Sequence, residues 1–236
     1  MSVIQLFYNY KMRKKYKVQG KPFIIIGLII QLIHFVPVNA DDIFLPSQST
    51  IDQPIDTSGP GWVKQKFVES GVFDLPEFNY TTDYDQYKIY SNIKGLFING
   101  LNYHNKLTRV FCWYGVPGNI QPGEKLPAVI LVHGGGSTAL PDWVKVWNDH
   151  GYIAISIALE GQVPGVRDAV NNPLPYWPTF EFSGPFRDGF FKDIMTDSLQ
   201  DQWFFHAVAD VILANSLIRS FPEVDTSKIG ITGISW

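Results

Sequence analysis

The chain has 236 residues, 45% of them hydrophobic and 15% aromatic, and a formal net charge of −3. That is enough apolar material for one sizeable core, and the charge gives no electrostatic reason to expect nucleic acid or an anionic membrane as partner. The single cysteine, Cys112, excludes an internal disulfide. No cysteine–histidine cluster points to a metal, so neither metal nor cofactor is expected.

The charge is unevenly placed. Residues 1–40 hold six of the 19 basic side chains and no acidic one, whereas the rest carries 13 basic and 22 acidic side chains, a net of −9. The basic stretch runs into a 14-residue apolar run from Phe23 to Val36, followed by Pro37-Val38-Asn39-Ala40. The run is short for a bilayer span, which needs about 20 residues. Val38 and Ala40 suit the small-residue positions of a signal-peptidase site, with cleavage before Asp41. Residues 1–40 therefore read as a signal peptide of a secreted protein, with no stable membrane partner after cleavage. An uncleaved membrane anchor is the alternative, and Met12 is an alternative start. Asn79-Tyr80-Thr81 is a glycosylation sequon that fits secretion.

Residues 41–83 hold Pro46, Pro54, Pro60 and Pro76 with little periodicity, and predict an irregular N-terminal arm. Tyr84–Leu101 predicts two strands broken near Asn92 and Gly95, and Arg109–Val116 another strand. Cys112, between Phe111 and Trp113, reads as a buried apolar thiol. The continuous apolar run Ala128–Val132 predicts a central strand covered on both faces. Pro141 opens a helix in which Trp143, Val144 and Trp147 share a face and which Gly151 stops. Tyr152–Leu159 is the next strand, so strand, helix and strand make a parallel unit. Residues 160–196, rich in proline and aromatic residues, predict a packed loop over a pocket. Asp201–Phe221 predicts a helix with a stripe of Trp203, Ala207, Val211, Ala214 and Ile218, widened by Phe204, Val208 and Ile212. Lys228–Ile234 is the third parallel strand.

That strand runs into Gly233-Ile234-Ser235-Trp236, the first four positions of G-x-S-x-G, in which a serine on a sharp strand-to-helix turn exposes its hydroxyl as nucleophile. Serine is a weak nucleophile and needs a base. Backbone N–H groups near such a turn can stabilise the oxyanion of a tetrahedral intermediate. The Trp236 N–H is one expected donor, and the loop His133-Gly134-Gly135-Gly136 after the central strand is the place for the other. The same loop also fits G-x-G-x-x-A through Gly134, Gly136 and Ala139, with Glu160 placed as a ribose ligand, so a dinucleotide-binding domain is the competing reading. A non-catalytic hydrolase-like binding protein is a third.

Leu126 through Gly136, Trp143 through Tyr152, and Phe221-Pro222-Glu223-Val224-Asp225 leading into Gly230 through Trp236 resemble the first half of an α/β-hydrolase of the acetylxylan esterase, dienelactone hydrolase and prolyl oligopeptidase-type group. The resemblance implies an α/β fold with a mostly parallel sheet and flanking helices over residues 84–236. It implies Ser235 as nucleophile, the Gly135 and Trp236 amides as oxyanion hole with Gly136 the second candidate, and an ester substrate such as an acylated carbohydrate. In that superfamily the triad acid and histidine follow the serine, yet His34, His104, His133, His150 and His206 all precede Ser235. The domain is therefore expected to be incomplete, ending at the nucleophile turn, and the 236-residue chain to be an inactive fragment.

Overall fold

The computed structural model describes residues 60–167, 177–187, 192 and 196–235. The signal peptide, the arm as far as residue 59, Tyr176 and Trp236 lie outside the described residues. The described elements in chain order are helix α1 (Pro60–Glu69), strands β1 (Phe78–Thr81), β2 (Ile93–Asn99), β3 (Arg109–Gly115) and β4 (Leu126–Val132), helix α2 (Pro141–Asn148), strand β5 (Ile153–Ile157), helix α3 (Trp203–Ser220) and strand β6 (Val224–Gly233). The six strands form one sheet in the order β1-β2-β3-β5-β4-β6. β1, β2, β3 and β5 pair antiparallel, and β4 pairs parallel to both β5 and β6.

Side chains alternate across a strand, so each strand divides its apolar residues between two layers. Cys112, Tyr114, Ala128, Ile130, Ile153, Ile155 and Ile157 face the cluster that includes Phe67 of α1 and the buried side of α3. Phe111, Trp113, Val129, Leu131 and Ala154 face the opposite cluster, which holds Val144 of α2. β4 is thus apolar along both faces because both are covered. The chain leaves β4 through α2 to β5 on one side and returns through α3 to β6 on the other. Loops after β4 and β6 therefore diverge at the C-terminal ends of the parallel strands, where open α/β sheets bind ligands.

Three sequence expectations change. The stretch from residue 60, expected to be irregular, carries α1 and β1. Phe67 stacks on Phe205 of α3 with ring centroids 4.2 Å apart, and β1 adds a short edge to β2. The two strands expected over Tyr84–Leu101 are one, and Gly95 lies inside it, paired with Thr81 and Trp113. A Cβ at Gly95 would sit 3.3 Å from the Thr81 carbonyl and 3.4 Å from the Phe111 ring. Glycine is there for close packing, not as a break. On α3 the buried face rotates away from Phe204, which is 54% exposed, toward His206, Asp210, Leu213 and Leu217. Apolar periodicity alone missed it because two of the inward positions are polar.

Asp210 is the more consequential of the two. It is buried, lines a cavity of about 10 Å³ with Thr108 and His206, and burial alone pushes its carboxyl well above the ordinary value. The cavity is about the size of one water. The native state therefore keeps this proton at pH values where the unfolded chain has lost it. More protons bound in the folded state means stability falls as pH rises through the carboxylate range. Asp210→Asn, neutral at every pH, is expected to raise Tm by a few degrees at about pH 7.5, with the gain vanishing as the pH is lowered below the unfolded carboxyl value. Thermal unfolding of both proteins across that range checks it. A Tm of Asp210→Asn that falls at about pH 7.5 but not at low pH would mean that the ionised carboxylate is stabilising.

Candidate active site

β6 delivers the chain to the site. The Ile234 N–H continues the sheet by donating to the Val132 carbonyl at 3.1 Å. The next residue, Ser235, is exposed and has φ +79°. Positive φ is uncommon for a residue with a side chain and costs on the order of 1–3 kcal/mol. Here it turns the backbone sharply at the strand end and leaves the hydroxyl outside the sheet. Among the described residues no group hydrogen-bonds that hydroxyl.

The loop after β4 lies directly against this turn. A Cβ on Gly134 would sit 2.5 Å from the Ile234 carbonyl oxygen and 2.7 Å from the Ser235 Cβ. Only glycine allows that approach. His133 fixes the loop from beneath. It is buried. Its Nε2 accepts the Leu159 N–H at 3.0 Å, so Nδ1 carries the proton and donates to the Gly134 carbonyl at 2.9 Å. Burial lowers the imidazole to about 4, and the ring stays neutral. With both nitrogens engaged, His133 has no lone pair for a serine.

Gly135 and Gly136 differ in their surroundings. Gly136 has φ +71°, and its carbonyl accepts the Trp177 indole N–H at 3.3 Å. The Gly135 N–H has no acceptor among the described residues, and Gly135 is exposed. Of the two expected loop donors, Gly135 is the more exposed. The Trp236 donor lies outside the described residues.

Glu160, just beyond β5, is fully buried. Its Oε2 accepts the Gln162 amide at 3.2 Å, and its Oε1 lies 3.6 Å from Arg187 Nε. Burial raises its pKa to about 7, against the opposing pull of Arg187, the Gly136 N–H and Gln162. This corrects the competing reading, since a carboxylate with no exposed surface cannot meet a ribose hydroxyl. Trp177 bonds the loop through its indole N–H. The described part of the 160–196 segment is packed as expected, with Phe180 against Phe97 at 5.1 Å and the Arg109 guanidinium over Phe182 at 4.6 Å. The other described histidines do not supply a base. His206 is buried, its Nε2 bonds the Gln200 carbonyl at 2.9 Å, and burial lowers it to about 4. The His150 Nδ1 bonds the Val146 carbonyl at 2.7 Å. His104 lies on the β2–β3 connection beside Asp201. Among the described residues no group of three or more histidine, cysteine, aspartate or glutamate side chains could hold a metal.

The family model for acetyl xylan esterase (AXE1) matches residues 72–236, a stretch that takes in both the serine turn and the glycine-rich loop. The chain belongs to the acetyl xylan esterase family. An acetyl xylan esterase from Paenibacillus sp. R4 is 19% identical, with 77% of this chain and 54% of that one covered and a TM-score of 0.48. Acetyl Xylan Esterase 1 from Thermoanaerobacterium sp. JW/SL YS485 is 18% identical, with 72% of this chain and 50% of that one covered and a TM-score of 0.51. The latter likeness shows the α/β-hydrolase fold. The chain spans about half the length of these solved relatives. No curated protein sequence matches it.

Two of the esterase family chain's site residues were poorly legible. His133 read only as part of the glycine-loop motif, and Glu160 only as a ligand. The signal available was position, since each follows a parallel strand at its C-terminal end. Gly134→Ala is expected to destabilise the fold by about 1–3 kcal/mol, because the new methyl has backbone on one side and Ser235 on the other. Urea unfolding measures it, and an unchanged midpoint would mean that the loop does not press on the serine turn.

Proposed function

We propose that this protein is a secreted serine hydrolase of acyl esters, with acetylated carbohydrate the favoured substrate class. The observation that carries the proposal is the strained turn at Ser235 with Gly134 against it. Ser235 Oγ would attack the acyl carbonyl while a base removes its proton. The carbonyl oxygen, now an oxyanion, would receive the Gly135 and Trp236 N–H groups. Collapse of the intermediate breaks the ester C–O bond and returns the proton to the departing sugar oxygen. This leaves an acyl-Ser235 that water cleaves to the free acid and the starting serine. The substrate class comes from the family, whose name specifies acetyl xylan.

In this fold the acid and histidine come after the serine along the chain, and no described histidine bonds Ser235. Triad members act as a unit, and loss of the base costs on the order of 10⁶-fold in a well-studied serine protease. The 236-residue chain alone is therefore expected to turn over p-nitrophenyl acetate far more slowly than an ordinary esterase, and the residual rate is expected to disappear in Ser235→Ala. Brisk turnover that survives the substitution would remove Ser235 from the mechanism.

Secretion rests on the basic and apolar leader and on Asn79. The latter is exposed on the edge strand β1, so a glycan there would project into solvent and shield an unpaired edge. Among the described residues no helix is long and apolar enough to cross a membrane. Expressed in a secreting eukaryotic host, the protein is expected to lose one glycan on treatment with an N-glycosidase, and Asn79→Gln to abolish that mass change. An unmodified protein in the medium would leave the sequon unused.

A further inference from the structure

We infer that the cavity between β3, α3 and the segment around Gly184 is a binding site for one water molecule, shared by Asp210 and His206. Four stretches of chain meet there: Thr108 at the head of β3, Gly161 beyond β5, Gly184, and the two α3 residues. His206 and Asp210 stand one helical turn apart on the buried face of α3. No hydrogen bond joins them, and none reaches the Asp210 carboxyl from any described residue. Asp210 keeps 7% of its surface accessible, and it lines the cavity. The Gln200 carbonyl can only accept, so His206 Nε2, 2.9 Å from it, carries the proton and Nδ1 keeps a lone pair. The Thr108 hydroxyl gives its proton to the Leu101 carbonyl at 2.6 Å and also has only lone pairs to offer.

This inventory of donors and acceptors selects the occupant. Burial favours the protonated form of the Asp210 carboxyl, which then brings one O–H and one carbonyl oxygen. Burial also keeps the His206 imidazole neutral. The walls thus offer one donor, several acceptors and no net charge. A molecule that bridges them must accept one hydrogen bond and donate the rest, as water does. The volume of about 10 Å³ suits one water and nothing larger. Gly161, at φ +62°, closes one wall, since a Cβ there would collide with the Gly184 carbonyl. A metal ion does not fit the donor set, because among the described residues no group of three or more histidine, cysteine, aspartate or glutamate side chains could hold one. A buried carboxyl and a buried imidazole nitrogen without partners destabilise a fold, and a water with about three hydrogen bonds satisfies such groups. The site stands apart from Ser235 and does not depend on the hydrolase reading.

The test is magnetisation transfer from water to buried methyl groups, by NMR on the isotope-labelled 236-residue chain. Val110 and Ala158 line the cavity and are 5% and 2% exposed, so water passing over the surface does not dwell against them. Cross-peaks at the water frequency are expected on both, with opposite signs in the laboratory and rotating frames, the mark of a bound water. Asp210→Asn is expected to keep them, because the amide offers a donor and an acceptor in the same place. Their survival there also excludes a relay through the exchangeable proton of the acid. Asp210→Leu, similar in volume and apolar, is expected to abolish them, although the Thr108 hydroxyl is still present. Cross-peaks missing from the unsubstituted protein, lost in Asp210→Asn, or retained in Asp210→Leu would each overturn the inference. If Asp210→Leu fails to fold, His206→Leu removes the acceptor instead, with the same loss expected and retention again decisive against the site.

Discussion

The imidazole of His133 is the joint on which the candidate site is built. It sits at the end of β4, the strand flanked on both sides by parallel neighbours. One nitrogen accepts from Leu159 beyond β5, and the other donates to the first glycine of the loop. The bond to Leu159 joins the ends of two strands. The bond to Gly134 sets the height at which the glycine loop leaves the sheet, and so its distance from Ser235. A buried imidazole can serve this way only while neutral, with one nitrogen a donor and the other an acceptor. Burial secures that state by lowering its pKa to about 4.

Several features of the site oppose stability. Ser235 holds a backbone conformation that a side chain disfavours. Glu160 is a buried carboxylate with an imperfect partner. Gly134 leaves no room for a side chain. These costs are carried by what lies beneath. β4 and β5 bury isoleucine, valine, leucine and alanine on two faces at once. On the α2 side Tyr84, Phe97, Phe111 and Trp113 interlock edge to face. Asn148 secures α2 by donating its amide to the Gly115 and Tyr152 carbonyls. A rigid, doubly covered sheet can hold a strained turn at its edge in a way that an isolated loop cannot. Membership of the acetyl xylan esterase family agrees with this division, since the matched region takes in the sheet and the turn together.

What could be read in advance followed from local chemistry. Continuous apolar runs marked β4 and β5 because a strand covered on both faces has no polar side to show. Pro141 and the tryptophans marked α2, and Gly-Ile-Ser marked the turn. The short strand β1 was hidden, because four residues with two of them exposed carry too little alternation to register. The helix α1 was hidden behind prolines, one of which, Pro60, opens it. The face of α3 was misjudged because His206 and Asp210 are polar yet point inward, and burial of a polar group depends on what surrounds it.

The sequence by itself determined the order of the central elements, the parallel strand–helix–strand unit, and the serine and glycine motifs at the strand ends. These are set by periodicity and by residues whose backbone preferences act over a few positions. Only the tertiary structure decided what each motif residue does. It joined β6 to β4 and so brought Ser235 against Gly134. It left Gly135 exposed and tied the Gly136 carbonyl to the Trp177 indole. It turned Glu160 from an exposed ligand into an interior one. The physical reason is that hydrogen-bond partners and desolvation are properties of groups distant in sequence. A carboxylate's charge or a peptide N–H's availability has no value until the fold has placed its neighbours.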